Sequence, residues 1–197
     1  SHPTRVPPHA VPHCVSALVS RICVVVDVFH LSALSRVISP DDWGSLPSRV
    51  ERNTERLLEL FDRQQVRCTF FVLGWVAERY PQLIRKLADH GHEIASHGYS
   101  HQLIYNQTPA VFAEETRKSK LILEDIIQQP VTGYRAASYS ITRESLWALD
   151  ILAELGFTWD SSIFPIHHDR YGLPDPTKTP YTTPTRHPVA PRDSPPP

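Results

Sequence analysis

The chain has 197 residues, of which 20 are Lys or Arg and 21 are Asp or Glu, so its formal net charge is −1. A charge so close to neutral argues against a nucleic-acid-binding protein, which normally shows a clear basic excess. The hydrophobic fraction of 41% is sufficient to bury the core of one domain. No apolar run approaches the ~18–20 residues that span a bilayer. No signal-peptide pattern is visible either, which leaves the location open with the cytoplasm favoured.

The distribution of the 19 prolines divides the chain into three parts. Four prolines lie in the first 12 residues, and ten lie between Pro165 and Pro197. Because proline is excluded from helix interiors and central strands, residues 1–20 and 174–197 are predicted to lack regular structure. Residues 21–173 are predicted to form the folded domain. The three cysteines match no zinc or redox spacing, and we expect free thiols.

The middle of the chain alternates between β-branched runs and amphipathic stretches. In chain order the pattern predicts a strand at 22–29, a helix at 48–63, a strand at 67–73, a helix at 81–90, a strand at 92–96, a helix at 110–128, a strand at 131–135, a helix at 142–155 and a strand at 157–160. Such alternation predicts an α/β fold with a parallel sheet. No glycine-rich phosphate loop follows a strand, which counts against a dinucleotide-binding fold. In a barrel-like layout, functional residues lie at the carboxyl ends of the strands.

Polar candidates stand at the carboxyl ends of four predicted strands. His97 and His101 are four residues apart and could converge on one divalent ion such as zinc, although a solvated polar loop is the alternative. Asp27 is either a capping group for the next turn or part of a site. Arg135 leaves its strand into a loop of small residues, where pairing with a surface carboxylate is the alternative. Asp160 could equally cap the amino end of a helix.

Four segments of the sequence carry a resemblance to a known family: "TFFVLGWVAERYP", "GHEIASHGYSHQLIY", "GYRAASYSIT" and "WDSSIFPIHHDRYG". In this order they resemble the NodB-type polysaccharide deacetylases. They are closer still to the branch encoded in exopolysaccharide loci that accompany exosortase (PEP-CTERM) systems. The likeness runs from about Val25 to Leu173.

The resemblance implies a deformed (β/α) barrel, here incomplete, that uses a divalent metal, above all zinc, to hydrolyse N-acetyl groups of a bacterial polysaccharide. His97 and His101 match the two metal-binding histidines. Asp27 matches the general base, Arg135 matches the arginine that orients this base, and Asp160 matches the aspartate that supports a catalytic histidine. We therefore expect the two imidazoles to face one cavity. We also expect Arg135 to lie beside Asp27, where a guanidinium keeps a carboxylate ionised.

The chain departs from the family pattern in three places. Residues 27–30 read "DVFH", so the segment that supplies the metal-binding aspartate is missing from the first motif. The late motif that supplies the general acid has no match after Leu173, since His187 lies in a stretch rich in Pro and Thr. Residues 1–20 match nothing in the family. We therefore expect a chain damaged in the first motif and truncated at its carboxyl end, and the alternative function is an inactive remnant with at most weak metal or glycan binding.

Overall fold

The computed structural model describes residues 21–166, 168 and 171–173. The predicted unstructured segments 1–20 and 174–197 lie outside the described residues, so that part of the domain division stays a prediction. In chain order the strands and helices are β1 (Ile22–Val25), α1 (Val50–Arg63), β2 (Thr69–Val72), α2 (Gly74–Arg79), α3 (Pro81–Asp89), β3 (Glu93–Ser96), α4 (Pro109–Ile127), β4 (Gly133–Tyr134), α5 (Trp147–Glu154) and β5 (Trp159–Asp160).

In the described part of the chain, five parallel strands form one sheet in the order β1-β2-β3-β4-β5. The register pairs Val25 with Val72 and Val72 with Ser96, so the carboxyl ends of the first three strands lie at one level. Each strand is connected to the next through at least one helix, and the predicted α/β fold is therefore confirmed. The open sheet is consistent with part of a barrel, and the loops that follow its strands meet at one edge.

The two faces of the sheet are packed differently. Phe70 and Val72 of β2 point toward the helices and are completely buried. Phe71 points to the opposite face, where its ring centroid lies 5.6 Å from that of Trp159. A Cβ atom at Gly133 would lie 2.0 Å from the Trp159 ring, so only glycine fits at this position. Arg135 lies on this second face, against the ring of Phe71.

The longest helix, α4, packs along the sheet and supports the loop after β3. It begins at Pro109 behind Thr108, whose hydroxyl accepts the N–H of Val111. It ends at Gln128, which adopts a left-handed conformation with φ 55°. Its buried face consists of Phe112, Thr116, Ser119, Leu123 and Ile126. Among the described residues, no helix is both long and apolar enough to cross a bilayer.

The first strand is shorter than the apolar run at 22–29 predicts. β1 ends at Val25, and a 3₁₀ turn follows at Val28–His30. The Asp27 side chain accepts the N–H of Val28, and the Asp27 N–H donates to Nδ1 of His30 at 2.8 Å. These local side-chain hydrogen bonds compete with the strand ladder, because they satisfy backbone groups that a strand would pair. Helix α2 was not predicted, since six residues are too few to show a clear period.

Candidate metal and catalytic site

The two candidate metal ligands lie on the loop that follows β3, at the carboxyl edge of the sheet. The ring centroids of His97 and His101 are 5.0 Å apart, and their planes are inclined by 64°. Both residues line one cavity, whose lining also includes Phe112 and Glu115 of α4. Both histidines are buried, with exposed fractions of 4% and 8%. The two imidazoles thus share one cavity, while their metal-binding role stays a prediction.

The environment of this pair keeps both rings neutral. Nδ1 of His97 donates to the carbonyl oxygen of Arg135 at 2.7 Å. Because a carbonyl can only accept, Nδ1 carries the proton and Nε2 keeps its lone pair. Burial, together with the neighbouring His101, lowers the pKa of His97 to about 3. Burial also lowers the pKa of His101. Neutral imidazole is the form in which histidine binds a metal ion.

The donor set fits a metal ion only in part. Nδ1 of His101 is buried and makes no hydrogen bond to any described residue, and buried polar atoms without a partner are rare. Two neutral imidazoles, one with its tautomer set by a backbone carbonyl, suit two positions of a zinc site. Within residues 21–166, 168 and 171–173, however, no three His, Cys, Asp or Glu side chains are grouped to hold a metal ion. The carboxylate that the resemblance implies is not beside the histidines.

The Asp27 carboxylate accepts hydrogen bonds at the amino end of α1. Its Oδ2 accepts the Ser48 hydroxyl at 2.7 Å and the N–H groups of Arg49 and Val50 at 2.8 and 3.2 Å, while Oδ1 accepts the N–H of Val28 at 3.0 Å. Burial by itself raises the pKa of Asp27, but these four hydrogen bonds outweigh burial and hold the pKa below its usual value. The structure therefore shows the capping alternative. Oδ1 accepts a single N–H and keeps acceptor capacity, so a role of Asp27 as general base stays a prediction.

Arg135 crosses the edge of the sheet toward the loop after β5. Its Nη1 donates to the carbonyl oxygen and the hydroxyl of Ser161 at 3.1 and 2.6 Å, and its Nη2 donates to the Tyr139 hydroxyl. The guanidinium lies 4.5 Å from the ring centroid of Tyr139 and 5.4 Å from that of Phe71. Among the ion pairs of the described residues, none joins Arg135 to Asp27. The expected contact is not formed, because Asp27 is turned toward α1.

Asp160 ends β5 and stabilises the turn after it. Its carboxylate accepts both the N–H and the hydroxyl of Ser162. The sequence left open that Asp160 caps the amino end of a helix instead. No helix begins after Asp160 within residues 161–166. Desolvation of its carboxyl group raises the pKa of Asp160, although the residue as a whole is exposed, and the bonds from Ser162 and the charge of Arg135 act in the opposite direction. A carboxyl group with a raised pKa can exchange a proton closer to neutral pH, as general acids and bases do.

His30 is a neighbour of the histidine pair that the sequence reasoning did not propose for the site. It is 3% exposed, and its Nδ1 accepts the N–H of Asp27, so the proton lies on Nε2. Nε2 has no partner among the described residues. Burial lowers the pKa of His30 to about 4, with Asp27 raising it and His101 lowering it. Its ring is packed against three aromatic rings, those of Phe29, Trp43 and Trp75.

Three aromatic side chains lie together beside Arg135, and we call them the aromatic surface: Tyr139, Phe164 and Tyr171. The rings of Tyr139 and Phe164 are stacked, with centroids 5.2 Å apart and planes inclined by 25°. The Tyr171 centroid lies 5.9 Å from that of Tyr139. Phe164 is 37% exposed. Tyr139 and Tyr171 are half-buried, so the aromatic surface is only partly open to solvent.

Comparison with known proteins identifies the family. A family model described as polysaccharide deacetylase matches residues 40–159. The chain belongs to the polysaccharide deacetylase family. It is 31% identical over 134 residues to a peptidoglycan deacetylase of Helicobacter pylori, covering 66% of this chain and 43% of the relative. It is 29% identical over 100 residues to a chitooligosaccharide deacetylase of a Bradyrhizobium strain, covering 51% of this chain and 43% of the relative.

Solved structures of the same fold agree with this assignment. A crystal structure of a proposed polysaccharide deacetylase from Mycobacterium smegmatis matches with a TM-score of 0.61 and 28% identity, covering 73% of this chain and 50% of the other. A CE4 family pseudoenzyme from Bacillus anthracis matches in fold with a TM-score of 0.53 at 16% identity, covering 71% and 42%. This polysaccharide deacetylase chain spans half the length of these relatives or less.

The polysaccharide deacetylase match covers only part of the candidate site. It begins after Asp27 and ends one residue before Asp160. Within it lie the two histidines of the β3 loop and Arg135. Family membership therefore rests on the middle of the chain, whereas the role of Asp160 rests on the last of the four similar segments and that of Asp27 on the wider resemblance that begins near Val25.

Proposed function

We propose that this chain is part of a metal-dependent hydrolase that removes N-acetyl groups from a polysaccharide, with His97 and His101 binding a divalent metal, namely zinc. The observation that supports this proposal is the buried pair of neutral imidazoles at the carboxyl edge of the sheet. The tautomer of His97 leaves Nε2 available as a ligand. A divalent cation bound at this pair supplies Lewis acidity toward an amide carbonyl.

The remaining polar residues of the edge have roles that follow from their contacts. Arg135 is held by Ser161 and Tyr139, so its positive charge is fixed beside the site. That charge stabilises a developing oxyanion or an anionic group of the substrate. Asp160 lies at the exposed end of β5, and its raised pKa favours a role in holding or releasing a proton. Asp27 remains outside these roles while its carboxylate caps α1.

We propose an N-acetylated polysaccharide as the substrate. The names of two relatives mention peptidoglycan and chitooligosaccharide, and both are N-acetylated glycans. The aromatic surface beside Arg135 offers flat apolar rings against which sugar rings can pack. The narrower proposal of a bacterial exopolysaccharide rests on the resemblance of four segments to the exosortase-associated branch.

A second candidate function is a catalytically inactive relative with at most weak binding of metal or glycan. Two observations favour it. The Asp27 carboxylate is occupied by four donors, and no third metal ligand is grouped with the histidines in the described part of the chain. Two imidazoles without an anionic ligand bind a dication less tightly than a complete site. A pseudoenzyme exists among the structures of similar fold.

Zinc binding and acetate release, measured side by side, separate the two functions. We expect the chain to bind zinc, and we expect His97→Ala and His101→Ala each to weaken zinc affinity by about 10-fold or more. His90→Ala is the matched control, because His90 lies at the surface and pairs with Asp62. Acetate released from an N-acetylated chitooligosaccharide supports the deacetylase. Zinc binding without acetate release supports the inactive relative, and equal zinc binding by all four proteins would refute the proposed ligands.

A further inference from the structure

The loop that carries both histidines bends through two left-handed positions. Gly98 has φ 75° and His101 has φ 57°. Glycine adopts this conformation freely, whereas histidine is strained in it. Such a residue keeps its conformation only where the surrounding contacts hold it. The position of the His101 ring therefore depends on what anchors the loop.

On one side the loop is anchored to α2 through its backbone. The N–H of Gly74 donates to the carbonyl oxygen of Gly98 at 2.8 Å, and the N–H of Trp75 donates to that of Tyr99 at 3.2 Å. The Tyr99 hydroxyl donates to Glu78 at 2.6 Å. These contacts hold the first half of the loop, which ends before Ser100.

On the other side the loop is anchored to α4 through side chains. Ser119 donates from its hydroxyl to the carbonyl oxygen of Gly98 at 3.0 Å. The hydroxyl of Ser100 lies 2.7 Å from each of the two carboxylate oxygens of Glu115. Ser100 directly precedes His101, so this bond holds the second half of the loop. A hydrogen bond to a carboxylate is stronger than one to a neutral acceptor.

The two histidines differ in how their rings are held. His97 is fixed by its own bond to the Arg135 carbonyl. Nδ1 of His101 makes no hydrogen bond to a described residue, so the ring lacks an equivalent bond at that atom. The ring is held by a hydrogen bond to the backbone of His30, and its position also depends on the backbone of the loop, which Glu115 anchors through Ser100.

We propose that Glu115 is a positioning residue that holds His101 in its left-handed conformation with its ring toward His97. Glu115 acts through Ser100 and lines the same cavity as both histidines. That this contact aligns two metal ligands depends on the proposed metal-binding function. The contact itself is present without metal and can be tested without metal.

The test compares Glu115→Ala with Glu115→Gln and with the control Glu114→Ala. Glutamine keeps an oxygen that accepts from the serine hydroxyl, whereas alanine does not. Glu114 is the adjacent, exposed residue of the same helix. Histidine side-chain nitrogen NMR spectra of the metal-free proteins near neutral pH report the ring environments. We expect Glu115→Ala to shift or broaden the His101 signals, and we expect glutamine and the control to leave them as in the original chain.

The His97 signals serve as the internal control for the fold, because its bond to the Arg135 carbonyl does not involve Glu115. If Glu115→Ala fails to fold, Ser100→Ala takes the place of that variant in the comparison, because it removes the same hydrogen bond. Unchanged His101 signals in the variant that folds would overturn the proposal, as would equal shifts in the Glu114→Ala control.

Zinc titration of the same proteins separates this proposal from the proposed function. Where the original chain binds zinc, Glu115→Ala should weaken zinc affinity by about 10-fold, whereas Glu115→Gln should retain most of it. A chain that binds no zinc would refute the metal-binding function, while the NMR comparison would still decide whether Glu115 positions His101.

Discussion

The contacts of Asp27 lead to a prediction that separates a structural carboxylate from a catalytic one. Replacing Asp27 by alanine removes an acceptor that serves the Ser48 hydroxyl and the N–H groups of Arg49 and Val50. Asp27 is only 5% exposed, so water cannot readily take its place. Replacing it by asparagine keeps one oxygen at nearly the same position but removes the charge.

The expected magnitude follows from these contacts. Loss of a helix cap costs about 1–2 kcal/mol. A buried hydroxyl left without its acceptor costs about 1 kcal/mol more, and loss of a negative charge at a helix amino end about 0.5 kcal/mol. We therefore expect Asp27→Ala to lower the free energy of unfolding by about 3 kcal/mol and Asp27→Asn by about 1 kcal/mol. The first value is a large part of the ~5–15 kcal/mol typical of a domain.

Urea unfolding monitored by circular dichroism, together with zinc titration, measures both consequences. Asp125→Asn is the control, since Asp125 is an exposed residue of α4, and we expect a change within about 0.5 kcal/mol. A change of less than about 0.5 kcal/mol for Asp27→Ala, accompanied by a large loss of zinc affinity, would refute the capping role. Such a result would indicate that the Asp27 carboxylate belongs to the metal site.

Two further predictions concern stability. Because burial lowers the pKa of His30 to about 4 and that of His97 to about 3, these two side chains bind more protons in the unfolded chain than in the folded chain below pH ~6.5, while the raised pKa of Asp160 acts in the opposite direction. The free energy of unfolding should therefore be highest above that pH. It should decrease toward pH ~4 by about 1.4 kcal/mol per pH unit for each histidine. Urea midpoints that do not change over this range would contradict the burial of these rings. Gly133→Ala places a Cβ atom 2.0 Å from the Trp159 ring, so thermal unfolding should show a loss of about 2–3 kcal/mol, and an unchanged melting temperature would be incompatible with this packing.

Much of the fold was predictable because its signals are local. The β-branched run and the alternation of periods located the strands and four of the helices to within a few residues, and the predicted strand at 92–96 appears as Glu93–Ser96. The first strand was predicted too long, since an apolar run alone does not reveal that Asp27 and His30 exchange local hydrogen bonds. Helix α2 was missed because its six residues span less than two turns.

The candidate site was predictable only where ligand spacing is itself local. A His-x₃-His pair after a strand requires no knowledge of the rest of the fold, and the structure places both rings at one cavity. The partner of Asp27 could not be deduced in this way. Ser48 lies 21 residues away in the sequence, and nothing in the spacing indicates that its hydroxyl and the start of α1 occupy the carboxylate.

The sequence by itself determined the five strands, four of the five helices, the parallel sheet and the polysaccharide deacetylase family, because periodicity and motif order belong to the chain before it folds. The tertiary structure alone decided which polar groups remain available. In the folded chain Asp27 accepts a hydrogen bond from the start of α1, Arg135 donates to Ser161, and Glu115 accepts from Ser100. Hydrogen-bond partners on separate elements depend on how those elements pack. The state of a carboxylate, whether occupied or available for chemistry, is therefore set only in the folded molecule.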